Sequence, residues 1–338
     1  MKKILILSGM PDFRSTFWCE EVERKLQAYG YEIAQEEMTG RALTDLPVRK
    51  DVEAVVTSWR SPRCTEEIFR VLPNLRYLGH SAGSVTGVAT PELFARGVRV
   101  FSANWMMSHA VAEWSLLMTL LYSRNFFCAT CWNGNQRMNW ENDRFNMHEM
   151  PELNIGCWGY GDVTRHFLRQ IAPFRPGRVL VTSNHADEKE LASAGAEKVS
   201  LEELLRLSDV FHCLVGINAS TMHRIGKNEL AMLKDGAALV NCGRPALVVE
   251  EPLVAELKAR RLYAYLDVFY QEPLPEDSPL YQLPNLVMTP HNAGFPGRKT
   301  FLPFILDEFH RADNQQPCLG EISRQRLDTM TVESMSRK

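Results

Sequence analysis

The chain has 338 residues, too long for one ordinary core and about right for two domains, each able to bury a sizeable interior. Its 38 Lys and Arg nearly balance 41 Asp and Glu, and no basic run occurs. Nothing therefore points to nucleic acid or an anionic membrane, which leaves a small neutral or anionic partner.

The N-terminus, MKKILILSGM, starts basic, but its apolar stretch is too short for a signal peptide and lacks a cleavage site, so residues 3–7 read as a first strand. Further strands are predicted at 53–57, 75–79 and 98–102, each followed by polar or helical sequence. The apolar helical stretch 110–122 carries Glu113 and falls short of the roughly 20 residues a bilayer needs, so a soluble, cytoplasmic protein is expected. Residues 131–151 read as a polar, partly irregular connection. Cys128 and Cys131 form one CxxC with no second Cys or His pair at finger-like spacing, so no metal is expected. Cys157 and Cys242 lie in apolar strand contexts where a reduced thiol packs as a small hydrophobe, and no disulfide framework is expected.

A second series of strands begins in NIGCWGYGDVT (154–164) and continues at 178–182, 209–215, 237–241, 264–268 and 285–289. That gives six strands, the number in a doubly wound dinucleotide-binding sheet. The turn Gly159-Tyr160-Gly161 follows the first of them, where such a sheet puts its phosphate-binding turn, although Thr164 stands where the third small residue belongs. Strands alternating with helices imply parallel sheets covered by helices, an α/β fold. The last apolar helix, TFLPFILDEFH, is too short to be a domain and is expected to return to the N-terminal one. The organisation predicted is a substrate domain of 1–103 and 294–338 with a dinucleotide-binding domain, 104–293, inserted in it.

Three stretches (239–257, 266–286 and 288–294) each set an Arg, a Glu or a His just past a strand end, and in such sheets those ends border the ligand crevice. Arg can hold a carboxylate bidentately, His can donate a proton near neutral pH, and a neighbouring Glu can favour its charged form and orient it. That set suits reduction of a 2-keto acid. Taken singly, each residue could be a loop imidazole, a surface charge or part of a Glu-Pro turn; three at successive strand ends argue against coincidence. Independently, the loop SAGS can turn backbone N–H groups toward an anion, which gives Gly83 and Ser84 a share in carboxylate binding.

The motifs Asn241 to Arg244, Leu266 to Phe269 with Glu272-Pro273, and Thr289 to His291 follow the glycine turn in order, and the chain resembles the D-isomer-specific 2-hydroxyacid dehydrogenase family over nearly its whole length. Residues 75–88 and 110–125 are similar to that family's substrate loop and long helix. The resemblance implies two doubly wound parallel-sheet domains, a Rossmann-type one inserted into a flavodoxin-like one. It also implies an NAD(P)H-dependent reductase of small 2-keto acids, hydroxypyruvate or glyoxylate, working as a homodimer. Arg244 would bind the substrate carboxylate and keto oxygen, His291 would be the general acid, and Glu272 would partner His291. Cofactor contacts would come from Gly159, Tyr160, Gly161, Asp162, Val163, Ser183, Asn184, Cys242 and Asp267, with Asp267 meeting the nicotinamide carboxamide. A cofactor-sensing corepressor without turnover is the alternative.

The sequence departs from the family's pattern at Pro245, where a glycine is usual, at Thr164 and at Thr86, where an acid is usual; the stretch NWMMS replaces an Asn-containing turn, and Trp105, Met106 and Met107 there could wall a pocket or pack in the core. After strand 178–182 the chain reads Ser183-Asn184-His185 with no carboxylate to meet a ribose 2′-hydroxyl. This favours NADP slightly over NAD, although Asp187 and Glu188 follow soon after and no Arg does.

Overall fold

The structure is a computed structural model that describes residues 2–126, 147–332 and 335. Cys128, Cys131 and most of the expected 131–151 connection lie outside the described residues. The chain divides into two compact units, one formed by Met1–Met107 with Phe295–Glu333 and the other by Ser108–Gly294.

The first unit holds β1 (Lys2–Ser8), β2 (Tyr31–Glu37), β3 (Val52–Thr57), β4 (Tyr77–His80), β5 (Arg99–Ser102) and β13 (Glu321–Ile322), in the order β13-β5-β4-β3-β1-β2. All pairings are parallel except that of β13 with β5. The period-2 alternation of a strand explains the two cores: Leu5 and Leu7 join Val55 and Leu78 on one face, and Ile4 and Ile6 join Val56 and Tyr77 on the other. The helix Phe301–Asp313 covers the second face with Phe301, Ile305 and Phe309 buried, and Gly79 lets Ile305 and Phe309 lie against β4. Trp105, Met106 and Met107 pack partly buried against this same core. β2 was not anticipated: its sequence, YEIAQEE, is mostly polar, and it forms the sheet's edge.

The second unit contains β6 (Asn154–Trp158), β7 (Arg178–Thr182), β8 (Glu197–Lys198), β9 (Val210–Cys213), β10 (Ala238–Asn241), β11 (Tyr263–Leu266) and β12 (Leu286–Met288), in the order β12-β11-β10-β9-β6-β7-β8, all parallel. The sheet thus has seven strands, not the six expected, because β8 is two exposed charged residues with no apolar pattern to betray it. From β6 the chain builds outward through β7 and β8, then returns to β9 on the other side, so the topology reverses between β6 and β9. Ligands bind outside the carboxyl ends of strands at such a point. Among the described residues no helix is long and apolar enough to cross a membrane.

Candidate functional site

The phosphate turn begins where β6 ends. Gly159 has φ 108°, and a Cβ there would lie 2.7–2.8 Å from Val215 Cα, Leu214 O and Val215 N, so only glycine fits. Gly161 is extended and precedes the helix Asp162–Ile171; a Cβ on it would meet no protein atom within 4 Å. The first glycine is therefore required by the protein, and the second leaves open space at a helix N-terminus, where unpaired N–H groups and the helix dipole favour a phosphate. These residues fit a dinucleotide. Tyr160, Asp162 and Val163 are partly exposed around this opening. Thr164 is fully buried, and its hydroxyl donates to Gly159 O at 2.9 Å, so the departure at this position ties the helix to the turn.

At the end of β7, Ser183 Oγ accepts from His185 N at 3.2 Å, and Asn184 is exposed. Asp187 is used as a cap, accepting the N–H groups of Lys189 at 2.9 Å and Glu190 at 3.0 Å. Glu190 is paired with Arg165 at 3.0 Å and accepts from Tyr160 Oη at 3.2 Å, while the Arg165 guanidinium lies 4.6 Å from the Tyr160 ring centroid. Sequence reasoning missed this cluster, whose members come from two segments with no shared motif. Cys157, Cys213 and Cys242 are buried free thiols, at the ends of β6 and β9 and just past β10. Burial pushes the Cys242 thiol up to about 12, with Ser115 Oγ 3.3 Å from its sulfur, so it sits as a neutral packing group.

The groups suited to proton and carboxylate chemistry follow the ends of β10, β11 and β12, which are neighbours in the sheet. Past β10, Asn241 shapes the turn by donating from Nδ2 to Arg244 O at 3.0 Å and accepting Gly243 N at 3.1 Å. Arg244 is extended, as a residue before proline must be, and half-buried, and its Nη1 donates to Gly243 O at 2.8 Å. Pro245 opens a short 3₁₀ turn, where its missing N–H costs nothing.

Past β11, Asp267 is buried and accepts three hydrogen bonds: Thr289 Oγ1 at 2.5 Å and Asn292 N at 2.8 Å on one oxygen, Ala293 N at 2.9 Å on the other. Burial pushes its carboxyl up, and these bonds offset only part of that rise. Asp267 thereby stitches the end of β11 to the loop after β12. That loop carries His291, held at φ 51°, a left-handed conformation that a histidine adopts only where its surroundings impose it. Glu272 completes the group, with Oε1 accepting Phe269 N at 3.0 Å and Oε2 lying 2.9 Å from His291 Nδ1. A carboxylate only accepts, so Nδ1 carries the hydrogen and Nε2 is left to exchange a proton, on a side chain 44% exposed against 16% for Glu272.

Gly83 and Ser84 lie in the first unit, past the end of β4. Ser102 Oγ donates to Ala82 O at 3.2 Å and Gly83 O at 2.5 Å, while Ser84 Oγ donates to Thr331 O at 2.8 Å. The serine hydroxyl is therefore spent. Among the described residues the backbone N–H groups of Ala82, Gly83 and Ser84 have no acceptor, so the loop keeps three successive donors for an anion.

Comparison with known proteins places this geometry in context. The sequence model described as "D-isomer specific 2-hydroxyacid dehydrogenase, NAD binding domain" matches residues 116–293. The chain is similar to the D-3-phosphoglycerate dehydrogenase of Methanocaldococcus jannaschii, 29% identical over 72% of this chain, and spans 46% of that longer protein's length. It is also similar to the glyoxylate reductase of Pyrococcus furiosus, 28% identical over 90% of both chains. A crystal structure of a phosphoglycerate oxidoreductase from Rhizobium etli has the same fold, with a TM-score of 0.80 and 21% identity over 96% of this chain and 99% of that one.

Proposed function

The chain belongs to the D-isomer specific 2-hydroxyacid dehydrogenase family, and from that premise we propose that it reduces a small 2-keto acid to a D-2-hydroxy acid with NAD(P)H, glyoxylate and hydroxypyruvate being the first substrates to try. The observation that carries the reading is the 2.9 Å pairing of Glu272 with His291 on a loop anchored by Asp267, beside the strand end that bears Arg244. A bound nicotinamide supplies the hydride. Glu272 accepts the Nδ1 hydrogen and orients the ring, and Nε2 delivers a proton to the keto oxygen as charge develops there. Arg244 binds the substrate carboxylate and polarises the keto group, since a guanidinium presents parallel N–H donors to two oxygens at once. On the first unit, the N–H groups at Gly83 and Ser84 are donors suited to an anion such as a carboxylate. Asp267 keeps one lone-pair site for a carboxamide while it holds the loop. A cofactor-sensing protein without turnover has no use for a carboxylate-backed imidazole.

The phosphate turn of Gly159, Tyr160, Gly161, Asp162 and Val163 holds the pyrophosphate, and Cys242 packs beside the cofactor. On the adenosine side NADP is slightly favoured: Ser183 and Asn184 bring no acid, Asp187 is occupied as a cap, and Arg165 offsets Glu190. The experiment is kcat/KM with NADPH and with NADH across a keto-acid panel. Turnover of glyoxylate or hydroxypyruvate with a modest NADPH preference is expected; inactivity on every acid would overturn the reading, and a clear NADH preference would overturn the cofactor choice alone. A homodimer built through the nucleotide unit belongs to the same proposal, and light scattering showing a monomer at micromolar concentration would remove it.

A further inference from the structure

The loop after β7, residues 183–187, holds no Arg in its own sequence, yet the structure brings one to the helix that follows it. Arg165 stands on the helix Asp162–Ile171, one turn in from the phosphate turn, and its Nη1 lies 3.0 Å from Glu190 Oε1 on the helix Glu188–Ser193. Tyr160 Oη donates to the same oxygen at 3.2 Å, and the guanidinium lies over the Tyr160 ring, 4.6 Å from its centroid. The turn and the loop are neighbours because β6 pairs with β7, Trp158 opposite Thr182, and Gly159 N donates to Thr182 O at 2.9 Å. All of these residues belong to the second unit.

In a doubly wound sheet the end of the second strand is where an adenosine ribose sits, with an acid meeting its 2′-hydroxyl or an Arg its 2′-phosphate. Here Asp187 is occupied by the N–H groups of Lys189 and Glu190, and Ser183 and Asn184 carry no charge. Arg165 is held in place: the Tyr160 ring covers one face of the guanidinium plane, which leaves the edge for oxygen atoms and spares the cost of ordering a long side chain on binding. Its partner is exchangeable. The two side chains are 39% and 42% exposed, so Glu190 holds the guanidinium weakly, by about one- to fivefold in an equilibrium. A phosphate monoester carries more charge than a carboxylate and presents several oxygens to the fork, so it competes well for that edge.

We propose that Arg165 is the specificity-determining residue that meets the 2′-phosphate of NADP, exchanging Glu190 for it, and that Glu190 opposes the phosphate and keeps the preference modest. The inference rests on the reading of this turn as a nicotinamide dinucleotide site. A hydrogen bond to a charged group is worth roughly 10- to 150-fold in affinity, and solvent exposure puts Arg165 at the low end, about tenfold.

The experiment titrates the full chain and its variants calorimetrically with adenosine 2′,5′-bisphosphate and adenosine 5′-monophosphate, and follows NADPH and NADH by fluorescence transfer from tryptophan. Folding is checked by circular dichroism. Arg165→Met is expected to weaken the bisphosphate and NADPH about tenfold and to change the monophosphate and NADH by less than about twofold; Arg165→Lys, which keeps charge without the fork, should fall between. Glu190→Gln should tighten the bisphosphate about two- to fivefold by removing the competing carboxylate. Arg165→Met combined with Glu190→Gln separates direct contact from mere unmasking of the Glu190 charge, and it should bind the bisphosphate about tenfold more weakly than Glu190→Gln alone. Recovery of the parent affinity in that double variant would overturn the proposal. Equal losses on bisphosphate and monophosphate in Arg165→Met, or no loss on either, would also overturn it while leaving the dinucleotide site standing. If the parent binds none of the four nucleotides, the dinucleotide reading fails and the proposal with it.

Discussion

The two glycines of the phosphate turn have opposite physical reasons, and alanine at each separates them. At Gly159 a methyl would sit 2.7–2.8 Å from three backbone atoms of Leu214 and Val215, about 0.6 Å inside an ordinary contact, on a residue with φ 108°. The Leu214–Val215 backbone cannot rotate away, so strain of about 1–3 kcal/mol from the dihedral adds to about 1–3 kcal/mol of overpacking, and Gly159→Ala should destabilise the fold by about 2–6 kcal/mol. At Gly161 the added methyl meets no protein atom within 4 Å on an extended backbone, so stability should change by less than about 1 kcal/mol. In the proposed cofactor site that space takes the pyrophosphate, so Gly161→Ala should weaken the nicotinamide cofactor by about tenfold or more. Denaturant unfolding gives the stabilities, and fluorescence transfer from tryptophan to NADPH gives the affinities. A Gly161→Ala protein that binds NADPH like the parent, or one as destabilised as Gly159→Ala, would refute this division of roles.

Two buried histidines predict acid sensitivity. His80, beside Thr57 Oγ1 at 2.9 Å, and His212, beside Thr119 Oγ1 at 3.0 Å, are each depressed by burial from the usual 6.5 to about 3. Because the folded values lie below the unfolded one, the stability they contribute is present above about pH 6.5 and is lost as pH falls toward 3; each should cost about 2 kcal/mol by pH 5, so unfolding free energies that stay flat from pH 7 to 5 would contradict the burial argument. Asp267→Asn should loosen the His291 loop, since an amide nitrogen now faces N–H donors where a carboxylate oxygen stood. A loss of about 1–3 kcal/mol and faster amide exchange at residues 289–294 are expected, and unchanged exchange would show that the loop is held by something else.

Apolar runs revealed β6, β7, β9, β10, β11 and β12, because strands buried on both faces read as continuous Val, Ile and Leu. They concealed β2, β8 and β13, which lie at or beside sheet edges and run to seven, two and two residues. The Arg, Glu and His were legible for the same reason: each follows such a run within a few residues, so the strand end that positions it is visible in the sequence. What was not legible depends on contacts across sequence. Asp267 was read as a cofactor contact, and its further part as anchor of the His291 loop was hidden because its three partners are 22–26 residues away. Glu190 meets Arg165 and Tyr160 across 25 and 30 residues, and Arg298 meets Trp59 across more than 200; no spacing rule connects such pairs. Thr164 departed from the expected pattern, and the structure supplies the reason in a hydroxyl that bonds back to the turn.

The central claim is that His291, backed by Glu272, gives its proton to a keto oxygen as hydride arrives. Steady-state reduction of glyoxylate by NADPH in the parent protein and in His291→Ala, with NADPH affinity measured alongside, tests it most directly. The account predicts a fall in kcat of about 10²- to 10⁴-fold in the variant with the cofactor still bound. Turnover by His291→Ala within about threefold of the parent would contradict it.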